Sequence, residues 1–494
     1  LKLYETLAAD IAGQIAQGVI RAGERIPSVR QTSQHHNLSV STVIRAFLLL
    51  ESQGVIESRP QSGYFVRRRP LAGAAAAPAQ APPPGPADVA RAPSLDTSAL
   101  VLTTLRSIDQ GSVPFGSPYP DPSLFPSARL NQYATSIARR GGAQLPLSDL
   151  PPGNPELIRQ IARRHLENGL AIDAGEIIVT HGATEAINLC LQAVARPGAA
   201  IAVESPTYYA LLHAIERLGM RALAITTHPQ QGIDLAALER ALEEHDVAAC
   251  IVMPNFQNPL GFRMTDDHQR ALVELLTRHD TPVIENDVYH ELYYGDSHPV
   301  SLKHYDTRGL VMHCNSFSKS LSGAWRIGWT LPGRYLAQVE KLKFLNSPST
   351  PSLPQLAIAE YLRTDGYDYH LRRVRKAYAQ QACIMASAVL RFFPPGTTVS
   401  EPAGGYLLWV CLPPGVQALE LYARAQERGI SLAAGDMFAT GDAWRHHIRL
   451  NYSYPWSAAM ETAVRTLGLV AGELVAPCHA DIPGNCTPRR HHHL

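Results

Sequence analysis

"CNSFSKSLSGAWRIGW", residues 314–329, decides the reading of this chain. It sets one lysine, Lys319, among the small residues Ser316, Ser318, Ser320 and Gly323, with Arg326 seven positions further on. Taken alone, a lysine between serines is an ordinary surface residue. It acquires meaning from what stands before and after it.

Four stretches upstream end in residues of matching chemistry. In "VTHGATEAINLC" (179–190), the strand-like "EIIV" runs into Gly182, Ala183 and Thr184 and then a helix, so backbone N–H groups at a helix N-terminus can hold a phosphate. "AVESPTYYALL" (202–212) places Tyr208 after a strand and a proline turn, where its ring can stack on a flat ligand. "VMPNFQNPLGF" (252–262) ends a strand with Asn258, an amide donor for a phenolate oxygen. "PVIENDVYHELYY" (282–294) delivers Asp287 at the end of a buried apolar run, with Tyr289 two residues later on the same face. Pyridoxal 5'-phosphate needs these parts: an amine for its aldehyde, donors for its phosphate, a carboxylate for its ring nitrogen and a flat side chain on its face. Lys319 supplies the amine, Ser316 and Ser318 add hydroxyls, and Arg326 pairs with the phosphate while helping to keep the amine uncharged. Asp287 as a helix cap, Tyr208 as a core aromatic and "GATEA" as a plain turn are each adequate separately. They do not explain the whole series in this order over about 145 residues.

From roughly 113 to 470 the chain resembles the fold-type I aminotransferases of the aspartate aminotransferase superfamily, through "NPLG", "NDVYHELYY" and "SFSKSLSGAWRIGW". "PAGGYLLWVCLP" (402–413) resembles the entry strand of that group's small domain, and Arg449 in "HIRLNYSYP" (447–455) matches the arginine that grips an amino acid's α-carboxylate. The other reading of Arg449 is an exposed basic residue beside His446 and His447. The resemblance implies an α/β body with a large domain built on a mixed, mostly parallel sheet and a small C-terminal α+β domain. It also implies pyridoxal phosphate held on Lys319. One departure stands out: where related sequences often place a tyrosine that reaches the partner subunit's phosphate, "QLPLSDLPPG" has Ser148.

The first 69 residues read differently. Leu7, Ile11, Ile15 and Val19 recur every four residues, which predicts a helix ending near Gly18. "GERIPSVRQTSQHH" supplies a turn at Pro27, Ser28 as N-cap and a short second helix bearing Arg30. "LSVSTVIRAFLLLESQG" predicts a third helix capped by Ser39, with Val43, Ala46, Phe47 and Leu50 on one face and Gly54 at its end; "VIESRPQSGYFVRRR" predicts a hairpin turning near Gly63. Three helices and a hairpin make a winged helix-turn-helix, whose third helix enters the major groove. Ser39, Ser41 and Thr42 can then donate to phosphates or base edges, and Arg30, Arg45 and Arg59, with the wing around Gly63, complete the DNA-facing set. "GERIPSVRQTSQHHNLSVSTVIRAFLLLESQGVIESRPQSGYFV" resembles the GntR-type DNA-binding domain. Many members carry an arginine where this chain has Val40.

Between head and body, "RRRPLAGAAAAPAQAPPPGPADVARAPS" (67–94) is too poor in large apolar residues to pack a core and reads as a semi-extended linker. The expected organisation is a winged helix-turn-helix over 1–69, a linker over 70–110, an aminotransferase-like body over 111–475 with its small domain from about 345, and a loose basic tail over 476–494. Residues 1–70 hold nine Lys and Arg against five Asp and Glu, while the whole chain of 494 residues carries only +1, so the head is the part suited to a polyanion. Seven cysteines with no CxxC pair support neither a disulfide framework nor a zinc knuckle, and no metal is expected. No apolar run approaches membrane-spanning length and the start is not secretory in pattern, so the expectation is cytoplasmic.

A winged helix joined to an aminotransferase-like body is the arrangement of the MocR-like regulators. That resemblance implies operator DNA and an amino-acid-like or amine effector as partners, and a homodimer with swapped reading heads. The competing class is a working aminotransferase acting on an amino acid and a 2-oxo acid, since the residues for that chemistry are retained.

Overall fold

The structure is a computed structural model that describes residues 3–16, 26–29, 32–33, 38–59, 63–66, 95–142, 148–295, 297–364 and 366–475. It falls into two compact units that divide after residue 76.

In the first unit, the helix Leu3–Ala16 packs its Leu7 and Ile11 against the helix Val40–Ser52, whose Val43, Ala46, Phe47 and Leu50 are completely buried. Their spacing of three and four residues is what makes one face of that helix apolar. Ser39 caps it, its hydroxyl accepting from the Thr42 N–H at 3.2 Å, and the chain leaves it through Gly54 in the left-handed region at φ 69°. The strands Ile56–Arg59 and Gly63–Val66 pair antiparallel, Ile56 opposite Val66 and Arg59 opposite Gly63. Ile56 and Val66 close the core, and Tyr64 meets Phe47 edge-on at 5.1 Å. The first helix ends at Ala16 as described; Val19, Arg30 and the Arg59 side chain lie outside the described residues. Of the expected second helix, the described residues show the Thr32 N–H donating to the Ser28 carbonyl at 2.9 Å.

The body is built on an eight-stranded sheet. Across it the strands run Ile178–Thr180, Gly328–Leu331, Val311–Ser316, Val283–Asn286, Val247–Val252, Ala200–Ser205, Arg221–His228 and Gly232–Ile233. The five from Val311–Ser316 to Arg221–His228 pair parallel; Gly328–Leu331 runs against both its neighbours. Apolar side chains alternate between the two faces. Ala202, Leu223, Cys250 and Val252 join one core cluster, while Ile201, Val203, Ala222 and Ile251 join the other. A sheet covered on both faces explains why these segments read as unbroken apolar runs.

A four-stranded antiparallel sheet carries the small domain, with Leu407–Cys411 and His447–Asn451 at its centre. The segment after residue 112 joins it: Val113–Pro114 pairs parallel with Ile430–Ser431, and the Asn451 amide donates to the Ser117 and Tyr119 carbonyls. The assignment of 70–110 to linker needs correction at its far end. Residues Leu95–Asp109 form a helix that buries Val101 and Thr104, and Thr104 donates to the Tyr422 hydroxyl at 3.2 Å. Its apolar residues are spaced to pack on an existing domain, a context the segment's own composition does not reveal. The 476–494 tail lies outside the described residues, and among those described no helix is long and apolar enough to cross a membrane.

Candidate functional site

The carboxyl ends of the parallel strands lie along one edge of the sheet, where open α/β folds place ligands. Thr180 leads to Gly182, Ser205 to Tyr208, Val252 to Asn258, Asn286 to Asp287 and Ser316 to Lys319. Because the strand Gly328–Leu331 runs the other way, Arg326 just before it reaches the same edge. Residues scattered over about 145 positions are thereby brought together, with Tyr208, Asn258, Lys319 and Arg326 lining one cleft.

At one end of the cleft the helix Ala183–Val194 begins at Gly182, which provides no side-chain cap. The first-turn N–H groups of Ala183 and Thr184 therefore lack intrahelical partners. Gly182 holds φ 86°, and a Cβ there would stand 2.8 Å from Arg326 Nη2. Gly328 packs so closely beneath that its Cβ would lie 2.6 Å from Gly182 Cα. The Arg326 guanidinium is steered by the Ser318 hydroxyl and the His181 carbonyl, each at 3.3 Å. Below, Glu185 returns to the His181 N–H at 2.7 Å and takes the buried Lys343 ammonium at 3.0 Å. Burial works against its charge, but bonds from His181, Ser347 and Lys343 hold its carboxyl at about 2. Open N–H groups and a held guanidinium around a spot with no room for a side chain make a fixed anion cradle.

Lys319 is 9% exposed. Its amine donates to the Pro118 carbonyl at 2.7 Å and lies 4.5 Å from the centre of the Tyr119 ring. Burial, and then the charges of Arg449 and Arg326, lower it to about 7. Near neutrality a large fraction of this amine is therefore uncharged and nucleophilic.

Asn258 accepts from Arg449 Nη1 at 3.2 Å and also bonds with the Tyr289 hydroxyl, which burial raises to about 12. Asp287 is almost wholly buried beneath the cleft-lining Val288 and Tyr289; the Asn255 amide donates to it at 3.0 Å, and His290 Nδ1 lies 3.3 Å from its other oxygen. Burial opposes charge on His290, yet Asp287 and Glu291 raise it to about 10. Tyr208 caps the helix Tyr209–Arg217 and lines the cleft.

Arg449 is completely buried, contrary to the reading of it as an exposed basic residue. The central strand of the small-domain sheet carries it inward, where Nη2 donates to the Gly116 carbonyl at 2.7 Å and the Phe438 ring lies 5.1 Å away. Its Nε is buried with no hydrogen-bond partner, and no carboxylate among the described residues pairs with it. A buried guanidinium with no carboxylate partner among the described residues is a costly arrangement that an anionic ligand would relieve.

Sequence reasoning missed the segment 116–119, whose Gly116 and Pro118 carbonyls engage the two key cations and whose Tyr119 lines the cleft. Its only signal was a run of Gly and Pro in "FGSPYP". The buried histidines behind Asp287 were missed as well. His290, Glu291 and His298 have metal-like spacing, as do Glu285, Asp287 and His313. Glu291 is nevertheless gripped by Arg164 at 2.7 Å and Arg375 at 3.0 Å, and Glu285 by Ser301 and the Leu302 N–H, so these carboxylates already have partners. Ser148 stands in a two-residue strand paired with Thr350–Pro351. In the head, Ser41, Thr42 and Arg45 lie on the first two turns of the helix that Ser39 caps, and Gly63, at φ 96°, opens the second hairpin strand.

Comparison with known proteins agrees with both halves. Residues 145–467 match the family described as aminotransferase class I and II, and residues 3–66 match the bacterial regulatory proteins of the gntR family. The chain is 41% identical over 474 residues to YdcR of Escherichia coli, an uncharacterized HTH-type transcriptional regulator, covering 96% of this chain and all of that protein. It is 27% identical over 370 residues to the 2-aminoadipate transaminase of Thermus thermophilus, covering 74% of this chain and 91% of that one. The crystal structure of kynurenine aminotransferase from Pyrococcus horikoshii, in complex with PMP, superposes with a TM-score of 0.71 at 26% identity, over 76% of this chain and 95% of that chain. The chain therefore belongs through its body to the class I and II aminotransferases, and through its head to the GntR family of bacterial regulatory proteins, the architecture of the MocR-like regulators.

Proposed function

We propose that this protein is a transcriptional regulator that binds operator DNA through its head and senses pyridoxal phosphate, with an amino-acid-like effector, through its body. The observation that carries the reading is the company Lys319 keeps: an amine lowered to about 7, with an anion cradle at Gly182 and Arg326 and the unpaired Arg449 nearby. The regulator reading is favoured over a plain enzyme because the regulator relative spans 96% of the chain, head included, whereas the transaminase spans 74%.

These residues fit the cofactor. The N–H groups of Ala183 and Thr184, the Ser316 and Ser318 hydroxyls and Arg326 would hold the phosphate. Tyr208 would face the ring, Asp287 its nitrogen, and Asn258 with Tyr289 its phenolic oxygen. Bound pyridoxal phosphate supplies a carbonyl carbon that condenses with amines and a ring that accepts electrons. Lys319 Nζ would supply the amine for that carbon and, where uncharged, could take up a proton. Arg449 would orient a carboxylate through two parallel N–H bonds, while the Pro118 and Gly116 carbonyls position the two cations. His290 and the Asn255 amide hold the Asp287 carboxyl in place. Arg449 rides on the small domain and Lys319 on the large one, so a ligand held by both biases how the two close on each other. In a homodimer with swapped heads, as proposed here, such closure alters head spacing and with it the fit to two half-sites.

The head's function is tested by anisotropy of the full-length protein on DNA from its own upstream region, at several salt concentrations. Sequence-selective binding at least about 1,000-fold tighter than to scrambled DNA is expected. Weak binding that follows salt alone would reject the regulator and favour transamination.

A further inference from the structure

We infer that the helix Val40–Ser52 reads thymine, recognising base pairs by apolar contact with C5-methyl groups. The inference rests on the DNA-binding reading above and specifies what that surface selects.

The inner face of this helix is spent on the core through Val43, Ala46, Phe47 and Leu50. Its outer face is also apolar. Val40 is 48% exposed, Ile44 40% and Leu48 52%, and their four-residue spacing aligns them in one stripe. A solvated helix face ordinarily carries charged or polar side chains there. The nearest hydroxyls are engaged with one another: Ser39 Oγ lies 2.9 Å from Ser41 Oγ and 2.7 Å from Thr42 Oγ1, and it also accepts the Thr42 N–H. The exposed Arg45 stands about 100° around the helix from Ile44, at the edge of the stripe.

The first two turns of a recognition helix are the part that meets base edges. Here they present valine and isoleucine at the centre of the outward face, with the Arg45 guanidinium at its edge and no amide to pair with adenine. In the major groove the apolar group available to such side chains is the thymine methyl. The occupant is duplex DNA because the stripe lies on the groove-entering helix, beside a hairpin, in a head with an excess of four positive charges. Arg45 at the flank is placed for a phosphate, which positions the helix without carrying sequence information.

The test uses the full-length protein and a duplex selected by it from a random pool. Each thymine of the site is replaced in turn by deoxyuridine, which lacks only the methyl group, and affinity is read by anisotropy. One or two thymines in each half-site are expected to cost about fourfold each, with no change in salt slope. Val40→Ser and Ile44→Ser, at exposed positions outside the core, should weaken the thymine site and make it insensitive to the uridine change. Selective binding that ignores every uridine substitution overturns the inference and leaves the regulator intact. Absence of any selected site overturns the regulator reading itself. Loss of self-association in Val40→Ser with unchanged DNA affinity would assign the stripe to a second copy of the chain and also overturn the inference.

Discussion

Lys319→Ala, incubated with pyridoxal phosphate, reduced with borohydride and desalted, is expected to retain no cofactor at the site, whereas the wild-type protein gains one reduced adduct on Lys319. The reason is the low pKa of this one amine. A lysine at its ordinary value of about 10.4 is uncharged to less than about one part in a thousand at pH 7. Lys319, lowered to about 7 by burial and by Arg449 and Arg326, is uncharged in a substantial fraction. The same shift fixes a pH dependence. Adduct formation in the wild type should rise about tenfold between pH 6 and 8 as the amine loses its proton, then level off; an unshifted lysine would still be rising there. Because Lys319 packs beneath Tyr119 and against Pro118, and not in the main hydrophobic clusters, the alanine variant should remain folded. A folded Lys319→Ala protein with wild-type effector-dependent DNA binding would refute the sensor.

Arg449→Lys is expected to weaken an amino-acid effector by about 100-fold while leaving cofactor retention unchanged. Loss of one partner from a buried, hydrogen-bonded charge pair costs about 2–5 kcal/mol. Lysine preserves the positive charge but not the planar pair of donors. The side chain now donates to the Gly116 carbonyl and to Asn258, and its Nε is the unpartnered atom. Titrating the loaded protein with an amino acid and with the corresponding amine lacking a carboxylate separates the effects. Only the carboxylate-bearing ligand should lose affinity. Equal loss for both, or no loss for either, would remove Arg449 from effector binding.

What could be read from the sequence follows from how local each feature is. Gly182, Asn258, Asp287 and Lys319 each sit at a strand end inside a string whose residues are neighbours in space as well as in sequence, and the sheet merely brings the strings together. The head's third helix was legible for the same reason, since its cap, apolar face and terminal glycine lie within sixteen residues. Features that depend on distant partners were not. The carbonyls of Gly116 and Pro118 matter only because Arg449 and Lys319, more than 200 positions away, fold onto them. The helix Leu95–Asp109 is set beside a Pro- and Ala-rich stretch and becomes a packed element only against Tyr422 and its surroundings. Arg449 had two readings until the strand pairing of His447–Asn451 turned it inward. The histidines behind Asp287 come from separate segments, and no spacing rule connects His165, His290 and His313.

The central claim is that the body's ligand changes what the head does. Its most direct measurement is the affinity of the full-length protein for a selected site, by anisotropy at one salt concentration, first without cofactor, then with pyridoxal phosphate, then with an amino acid added. The account predicts that at least one addition shifts the dissociation constant by about fivefold or more, the size of an ordinary coupling between sites, and that Lys319→Ala abolishes the shift. Identical affinities in all three states, with the cofactor demonstrably bound on Lys319, would contradict it.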